Sequence, residues 1–279
     1  MRPANMVTAL ADVLAGFAVA GLAAPGKLPW LLGAGLALYG GGVTMNDFFD
    51  RRLDAVERPE RPIPSGRASA WSACLLGITL LLAGTACAWR ASAVSGMLAG
   101  ALALLAVAYD AGIKHVPLAG PLAMGSCRGL DLLLGVSASA GALSARWYVA
   151  AIPVAYISGV TLLSAGEVHG GSRLRASMSA ALLAAAAAGA LLMGGSSMMH
   201  ILSVGFMLGL LAWRVAPAFY RTCLQPGASQ IRAAVRAGVI SLVFLDASVA
   251  AAYRSLWYAL GMVALVLVVS QLARLFPVT

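Results

Sequence analysis

The sequence predicts an all-α, polytopic membrane protein, and its composition and hydropathy pattern support this fold class. Of the 279 residues, 61% are hydrophobic and only 10% are charged, which is not the composition of a soluble globular domain. A membrane-spanning helix takes about 20 mostly apolar residues, and apolar stretches of that length follow one another along the chain. We therefore expect a bundle of roughly nine to ten transmembrane helices in a single domain, residues 1–279.

Hydropathy and the positions of glycine, proline and charge give the candidate spans in order. They are 7–24, 29–49, 70–89, 93–109, 120–140, 147–166, 177–194, 198–214, 231–251 and 256–275. We interpret the first as a span rather than a cleaved signal peptide, because Asp12 interrupts its apolar run and no polar domain follows. The connections are short except for 50–69 and 215–230, which fall on the same side of the membrane when the spans are counted.

Basic residues are divided unequally between the two sides of the predicted bundle. Four of them, Lys27, Arg90, Arg146 and Arg254, fall on one side, and the other fifteen of the 19 lie with both termini and both long connections. Because cytoplasmic loops are enriched in Lys and Arg, we expect those parts to face the cytoplasm from the inner (plasma) membrane. The basic residues stand singly between apolar spans, so we expect membrane lipids and anionic ligands as partners, and not nucleic acid.

Acidic residues are the most informative residues in such a chain, because a carboxylate at membrane depth costs about 2.5–3.5 kcal/mol on insertion scales. Most of the ten acidic residues fall at or beyond the cytoplasmic ends of even-numbered spans, whereas Asp12, Asp131 and Asp246 lie inside spans. Arg128 and Asp131 are three positions apart and can pair on one helix. That pairing is compatible with a structural role as well as with a role in catalysis.

The strongest chemical signal is the run NDFFDRRLD at 46–54, at the end of the second span. Spacings of three and four residues put Asp47, Asp50 and Asp54 on one face of a helix. Adjacent carboxylates repel one another unless a multivalent cation lies among them, and hard oxygen ligands suit Mg²⁺. The alternative is a solvated helix end whose acids pair with the two arginines inside the run.

Basic residues follow this run at two places. Arg58 and Arg61 lie in the proline-rich 50–69 connection, and Lys114 follows the fourth span. These side chains, together with a metal ion, can surround a bound diphosphate with positive charge. The sequence thus predicts polar chemistry at one membrane face.

Four segments together resemble the UbiA superfamily of intramembrane prenyltransferases. They are Arg-Pro-Ala-Asn at 2–5, the acidic run at 46–54, ERPERPIPSG at 57–66 and the segment from Tyr109 to Lys114. The resemblance covers most of the chain. Within the superfamily, the opening segment, GEVHGG at 166–171 and the Leu-Asp pair in the ninth span are most similar to the EboC-type branch.

The resemblance implies a helical bundle around a central cavity with a polar cap over its cytoplasmic mouth. It also implies Mg²⁺-dependent binding of a prenyl diphosphate and transfer of the prenyl group to an acceptor that the sequence does not identify. The residues proposed for catalysis are Asp47, Asp50 and Lys114. Those proposed for substrate binding are Asn5, Asn46, Arg58, Arg61, Tyr109, Lys114, Arg128 and Tyr156, the tyrosines as aromatic faces for an allylic cation. Those proposed for Mg²⁺ are Asp47, Asp50, Asp54 and Glu167.

One departure from the superfamily pattern keeps alternatives open. A second Asp-rich motif is expected at the end of the sixth span, but that place reads SAGEVHGG at 164–171. Glu167 is then the remaining carboxylate, with His169 either a ligand or an ordinary loop histidine. A one-metal enzyme, a non-catalytic protein that binds lipid diphosphates, and a transporter of a small polar metabolite are the resulting alternatives. The oligomeric state is not predicted.

Overall fold

The structure is a computed structural model that describes residues 3–193 and 197–275, with side chains at 8–193, 197–265 and 267. The described residues form helices and turns and contain no strand, so the all-α prediction is confirmed. The α-helices are α1 Pro3–Val19, α2 Leu28–Phe49, α3 Arg51–Glu57, α4 Ala70–Ala91, α5 Ala93–Ala111, α6 Ala119–Val136, α7 Ala140–Arg146, α8 Ala151–Ser164, α9 Arg173–Leu192, α10 Met198–Leu224, α11 Ala228–Tyr253 and α12 Leu256–Leu275. Short 3₁₀ turns, Pro25–Lys27, Ile113–His115 and Trp147–Ala150, precede α2, α6 and α8.

Seven helical segments of the described chain are long and apolar enough to cross a membrane. They are Pro25–Phe49, Ala70–Ala91, Ala93–Ala111, Ala140–Ser164, Arg173–Leu192, Met198–Leu224 and Ala228–Tyr253. Shorter apolar helices occur at Thr8–Val19 and Leu256–Leu265, and α6 carries Arg128 and Asp131 in its middle. The chain is a multi-pass membrane protein, while the count of roughly nine to ten spans stays a prediction.

The outer surface agrees with a membrane environment. All six tryptophans are exposed on the outside of the bundle. They are Trp30, Trp71, Trp89, Trp147, Trp213 and Trp257. Tryptophan is enriched where spanning helices meet the headgroup region, so its exposure here fits contact with lipid.

The long connection predicted at 215–230 is wrong, because α10 and α11 leave only 225–227 between them. Pro217, three residues beyond the predicted end of this span, lies inside α10. Membrane helices tolerate an internal proline where other groups satisfy the freed backbone atoms. Beyond it, the Thr222 hydroxyl donates to the Gln230 carbonyl oxygen at 3.2 Å, which ties the end of α10 to the start of α11.

The first helix lies between the two halves of the bundle. One buried apolar cluster is formed mainly by α8 to α11 and the other mainly by α2, α4 and α5, and α1 and α6 contribute to both. Gly16 of α1 and Gly135 of α6 allow the closest approach, since a Cβ at Gly16 would overlap the Leu132 carbonyl oxygen. Small residues commonly permit such contacts between membrane helices. This contact fixes α1 against α6.

Candidate active site beneath the 58–67 loop

A cavity of about 520 Å³ lies between α2, α4, α5 and α6. Its wall is mostly apolar and is formed by Leu38, Val43, Leu81, Leu102, Ala103, Ala106 and Met124, among others. One end is covered by Glu60, Arg61, Pro62 and Arg67, which we call the roof. The volume lies in the range of small-molecule sites, about 300–1,000 Å³.

Polar side chains occupy the two ends of the cavity. The end under the roof, which we call the mouth, has Asn46, Asp47, Tyr109 and Asp110; the other end, the floor, has Tyr39, Cys127, Arg128 and Asp131. Tyr39 and Asn46 are two turns apart on α2, which corresponds to about 10 Å. A ligand in the cavity therefore contacts an apolar wall between two polar ends.

Four side chains from distant parts of the chain form one network at the mouth. Lys114 Nζ lies 2.5 Å from Asp50 Oδ1 and 3.8 Å from Asp110 Oδ1. The Asn46 amide donates to Asp110 Oδ1 at 2.8 Å and to Asp50 Oδ2 at 3.0 Å. Two carboxylates thus share one ammonium group and one amide, which leaves this network with a net negative charge.

A second set of ion pairs connects the mouth to the roof. Arg61 Nη1 lies 2.6 Å from Asp54 Oδ2 and 3.5 Å from Asp47 Oδ1. Asp54 is 3% exposed, so its pairing with Arg61 is largely shielded from water. The Arg67 guanidinium donates to the Glu60 carbonyl oxygen at 2.5 Å. This hydrogen bond joins the first and last residues of the roof.

The acidic run adopts its geometry because α2 ends inside it. Phe49 is the last residue of α2, Asp50 is not helical, and α3 begins at Arg51. The backbone N–H of Asp50 still donates to the Asn46 carbonyl oxygen, and that of Asp54 to Asp50, so the turn spacing expected from the sequence is nearly kept. Asp50 nevertheless pairs with Lys114, whereas Asp47 and Asp54 share Arg61.

The donor chemistry at the mouth is compatible with Mg²⁺. Magnesium usually takes one or two protein carboxylates and completes its shell with water and phosphate oxygens. Asp47, Asp50 and Asp110 offer hard oxygen ligands there. No group of three or more His, Cys, Asp or Glu side chains in the described residues is arranged to enclose a metal by itself, so a bound metal would need ligands from substrate or water.

Other residues predicted for the site lie away from this cavity. Tyr156 is fully buried and its hydroxyl donates to the Gly238 carbonyl oxygen at 3.0 Å, which ties α8 to α11. Five residues predicted for the site are absent from the described cavity lining: Asp50, Asp54, Arg58, Lys114 and Glu167. Asp50 and Lys114 connect to the lining through Asn46 and Asp110, and Asp54 does so through Arg61. The carbonyl oxygen of Glu167 accepts a hydrogen bond from Arg232. The prediction for Asn5 lies outside the described side chains.

Asp110 was missing from the predicted site residues although it links the mouth together. The signal was present in the sequence, since Asp110 and Lys114 are four positions apart and the segment was already singled out. Its contact with Asn46 spans 64 positions and follows only from the packing of α5 beside α2. Cys127 and Asp131, which line the floor, were likewise not predicted to meet a cavity.

Comparison with known proteins identifies relatives of the chain. Residues 6–226 match the UbiA prenyltransferase family. A curated relative named digeranylgeranylglyceryl phosphate synthase, from Methanothrix thermoacetophila, is 39% identical over 148 residues, which are 52% of this chain and 55% of that protein. The chain spans about half the length of that relative, and the matches to two Methanosarcina proteins of the same name cover 34% of their lengths.

Two solved structures share the fold. A UbiA homologue from Aeropyrum pernix K1, in its apo form, has a TM-score of 0.72 at 17% identity, and the match covers 88% of this chain and 98% of that one. A structure from work on digeranylgeranylglyceryl phosphate synthase in membranes has a TM-score of 0.67 at 16% identity, with 90% and 95% coverage. None of these relatives is named as an EboC-type protein.

Proposed function

The chain belongs to the UbiA prenyltransferase family, and from that premise we propose that it is an intramembrane prenyltransferase. It binds an allylic prenyl diphosphate at the mouth of the cavity and transfers the prenyl group to a small acceptor. One observation carries this proposal: Asn46, Asp50, Asp110 and Lys114 form a polar network at the end of an apolar cavity. A diphosphate with a hydrocarbon tail has the same division into a charged and an apolar part.

The relatives suggest which substrates to test first. Their name describes a glyceryl phosphate that bears two geranylgeranyl groups. We therefore propose a geranylgeranyl-type diphosphate as donor and a glyceryl phosphate derivative as acceptor. Membership of the EboC-type branch stays a prediction from the sequence alone.

Mg²⁺ is part of this proposal, with one or two carboxylates among Asp47, Asp50 and Asp110 as its protein ligands and the rest of its shell supplied by the diphosphate and water. When bound, the metal neutralises the charge that develops on the leaving diphosphate. Asp54 contributes differently, because its carboxylate is paired with Arg61 at 2.6 Å and so holds the roof. Glu167 stays a proposed ligand of a second metal, supported by its place in the sequence rather than by the cavity lining.

The basic side chains of the mouth complete the diphosphate site. Lys114 and Arg61 are held by carboxylates, so their charges are in position before a ligand arrives. Preorganised donors of this kind stabilise a transition state without the cost of reorientation. Lys114 binds the diphosphate oxygens as the allylic C–O bond breaks, and the ring of Tyr109 faces the cation that forms.

The roof has a protective role in this mechanism. An allylic cation reacts readily with water, and closure of a site prevents such side reactions. Arg61 is only 16% exposed at its side chain and lies between the cavity and Asp54. We propose that the chain acts as one domain in the inner (plasma) membrane with the roof on the cytoplasmic side, in accord with the distribution of its basic residues.

The function is tested with the purified protein in lipid nanodiscs, supplied with geranylgeranyl diphosphate and a range of Mg²⁺ concentrations. The acceptors supplied are glycerol 1-phosphate and its mono-geranylgeranyl derivative. Mass spectrometry detects the prenylated product, and equilibrium binding of labelled donor is measured in parallel. We expect product with the wild type and an Mg²⁺ midpoint raised about tenfold by Asp110→Asn, equivalent to roughly 1.4 kcal/mol of lost metal binding. Glu57→Gln is the matched carboxylate-to-amide change at an exposed position outside the cavity lining, and we expect its midpoint to be unchanged. Glu167→Gln is measured beside both, because Glu167 is the proposed ligand of a second metal.

Each other outcome of this assay has a distinct meaning. Donor binding without product from any acceptor supports a non-catalytic protein that binds lipid diphosphates. A midpoint shifted by Glu167→Gln as much as by Asp110→Asn establishes Glu167 as a metal ligand. Failure to bind the donor at all contradicts the proposed function and favours a carrier for a small polar metabolite.

A further inference from the structure

A groove on the outside of the bundle lies between α10 and α11. It has a volume of about 560 Å³ and is lined by Arg214, Arg232, Ala233, Arg236, Ala237 and Ile240. The three arginines are exposed, so the groove opens to the surroundings of the protein. The described lining of the cavity beneath the roof contains none of these residues, which makes the groove a separate site.

Positive charge is concentrated in this groove. Arg232 and Arg236 are one turn apart on α11, and Arg214 joins them from α10. The ion pairs of the described side chains include neither Arg214 nor Arg236. Arg232 donates to the Glu167 carbonyl oxygen at 2.8 Å, a bond to a neutral group that positions the guanidinium without cancelling its charge. The groove therefore favours an anionic ligand.

Helix lengths place the groove at the level of the lipid headgroups. Arg236 and Arg254 are 18 positions apart in the chain, which corresponds to about 27 Å of helix. On α10, Met198 and Arg214 are 16 positions apart, or about 24 Å. The hydrocarbon core of a bilayer is about 30 Å thick, so the stretch between the members of each pair spans most of it. Arg214 and Arg236 then lie where the acyl chains meet the headgroups.

Two aromatic side chains mark the same level on α10. Trp213 and Tyr220 are 73% and 67% exposed; Trp213 directly precedes Arg214, and Tyr220 follows it by less than two turns. Tryptophan and tyrosine are enriched at the membrane interface, because one end of the side chain is apolar and the other can bind water. This observation does not use helix lengths, and it gives the same depth.

The groove has an apolar end as well as a charged one. Ile240 lies one turn beyond Arg236 toward the middle of α11, and its side chain is 45% exposed. Ala237, between them, adds little bulk. A ligand in the groove thus meets guanidinium groups at one end and an apolar side chain at the other. A phospholipid has this division, since its phosphate lies at the headgroup level and its acyl chains run toward the membrane centre.

We propose that the groove binds an anionic phospholipid, with the phosphodiester on Arg214 and Arg236 and an acyl chain along Ile240. Basic pockets between membrane helices on the cytoplasmic side bind such headgroups. A zwitterionic lipid carries an ammonium group beside its phosphate, and the arginines repel that group. A free phosphate lacks the chain that the apolar end accepts. The bound lipid bridges α10 and α11 and stabilises their packing.

Native mass spectrometry of the purified protein in detergent tests the site, with phosphatidylglycerol and phosphatidylcholine of identical acyl chains as probes. Each basic residue near an anionic lipid surface contributes about five- to sixfold to binding. We therefore expect the wild type to prefer phosphatidylglycerol about thirtyfold. The preference should be lost in Arg214→Gln/Arg236→Gln.

Arg175→Gln/Arg221→Gln is the matched control, because it removes two exposed arginines that do not line the groove. It lowers the net charge by the same amount and should keep the preference. Thermal unfolding gives a second measure, since a ligand of the folded state raises the midpoint. Phosphatidylglycerol should raise the midpoint of the wild type and the control, but not that of the groove variant. Equal preference in all three proteins, or equal loss in the two variants, overturns the proposal.

Competition separates a bound lipid from a free anion and from the substrates of the cavity. Inorganic phosphate and glycerol 1-phosphate should not displace phosphatidylglycerol, and displacement by either shows an anion site that needs no lipid and overturns the inference. Binding of labelled geranylgeranyl diphosphate should be the same in the wild type and in Arg214→Gln/Arg236→Gln. Loss of donor binding in that variant would make the groove part of the substrate path and contradict a separate lipid site.

Discussion

Lys114 and Asp50 are 64 positions apart in the chain, yet Lys114 Nζ lies 2.5 Å from Asp50 Oδ1. The contact joins the turn before α6 to the junction between α2 and α3. It also places the ammonium group beside Asp110, which lines the mouth of the cavity.

Lys114→Met should weaken the binding of geranylgeranyl diphosphate by about ten- to a hundredfold, since a hydrogen bond to a charged group is worth about 1.5–3 kcal/mol. The control is Lys27→Met, because Lys27 donates to Ala138 at the other end of α2. Equilibrium binding of labelled donor measures both. A similar loss of affinity in the two variants would mean that Lys114 has no special part in the site.

Asp54→Asn should loosen the roof rather than remove the metal. The change takes a buried carboxylate from Arg61, and loss of such a charge-assisted bond shifts a local opening equilibrium by about ten- to a hundredfold. Limited trypsin digestion at Arg67 reports the opening, since Arg58 and Arg61 both precede proline and their bonds resist trypsin. Glu57→Gln removes an exposed carboxylate from the same helix and should leave the digestion rate unchanged; an effect on Mg²⁺ affinity without faster digestion would contradict this role.

Gly16→Ala should destabilise the protein by about 1–3 kcal/mol, because the added methyl group overlaps the Leu132 carbonyl oxygen and overpacked contacts cost about that much. Gly100→Ala is the matched change on α5, where no heavy atom lies within 4 Å of the new Cβ. Alanine there should be neutral or slightly stabilising. Thermal unfolding in detergent compares the two, and equal midpoints would show that α1 and α6 do not pack as described.

The roof should face the cytoplasm. A cysteine introduced at Ser65 in a cysteine-free chain should escape a membrane-impermeant reagent added to intact cells, and one at Gly26 should react. Both positions are exposed in the structure, and α2 separates them by about 33 Å, so burial does not explain a difference. Rapid external labelling at residue 65 would reverse the orientation and move the proposed chemistry to the other side.

The sequence was sufficient where a feature depends on neighbouring residues. Hydropathy located the helices, and the spacing inside the run at 46–54 located the acids of the mouth. Lys114 was predicted as a site residue because it follows the fourth span, which ends next to Asp110. These features depend on helical periodicity and on membrane thickness, both of which are visible in a single chain.

The sequence was not sufficient where partners come from distant helices. Arg128 was paired with Asp131 because the two are three positions apart, but the structure places Asp12 closer, at 2.5 Å against 4.0 Å. Asp246 had no partner near it in sequence. Such contacts depend on how α1, α6 and α11 pack together. A glycine in the sequence indicates that close packing is possible, but it does not identify the helix that packs against it.

The packing of Asp12 against Arg128 also has a consequence for the order in which the protein is made. The helix that carries Asp12 leaves the ribosome before its guanidinium partner Arg128, which follows after a delay of roughly 6–23 s at about 5–20 residues per second. During that interval a lone carboxylate must remain at membrane depth, which costs about 2.5–3.5 kcal/mol on insertion scales. The α11 and α12 helices that also contact α1 are synthesised later still. Final docking of α1 must therefore wait until α12 has been synthesised, and a nascent chain arrested before α6 should hold α1 only loosely in the bilayer.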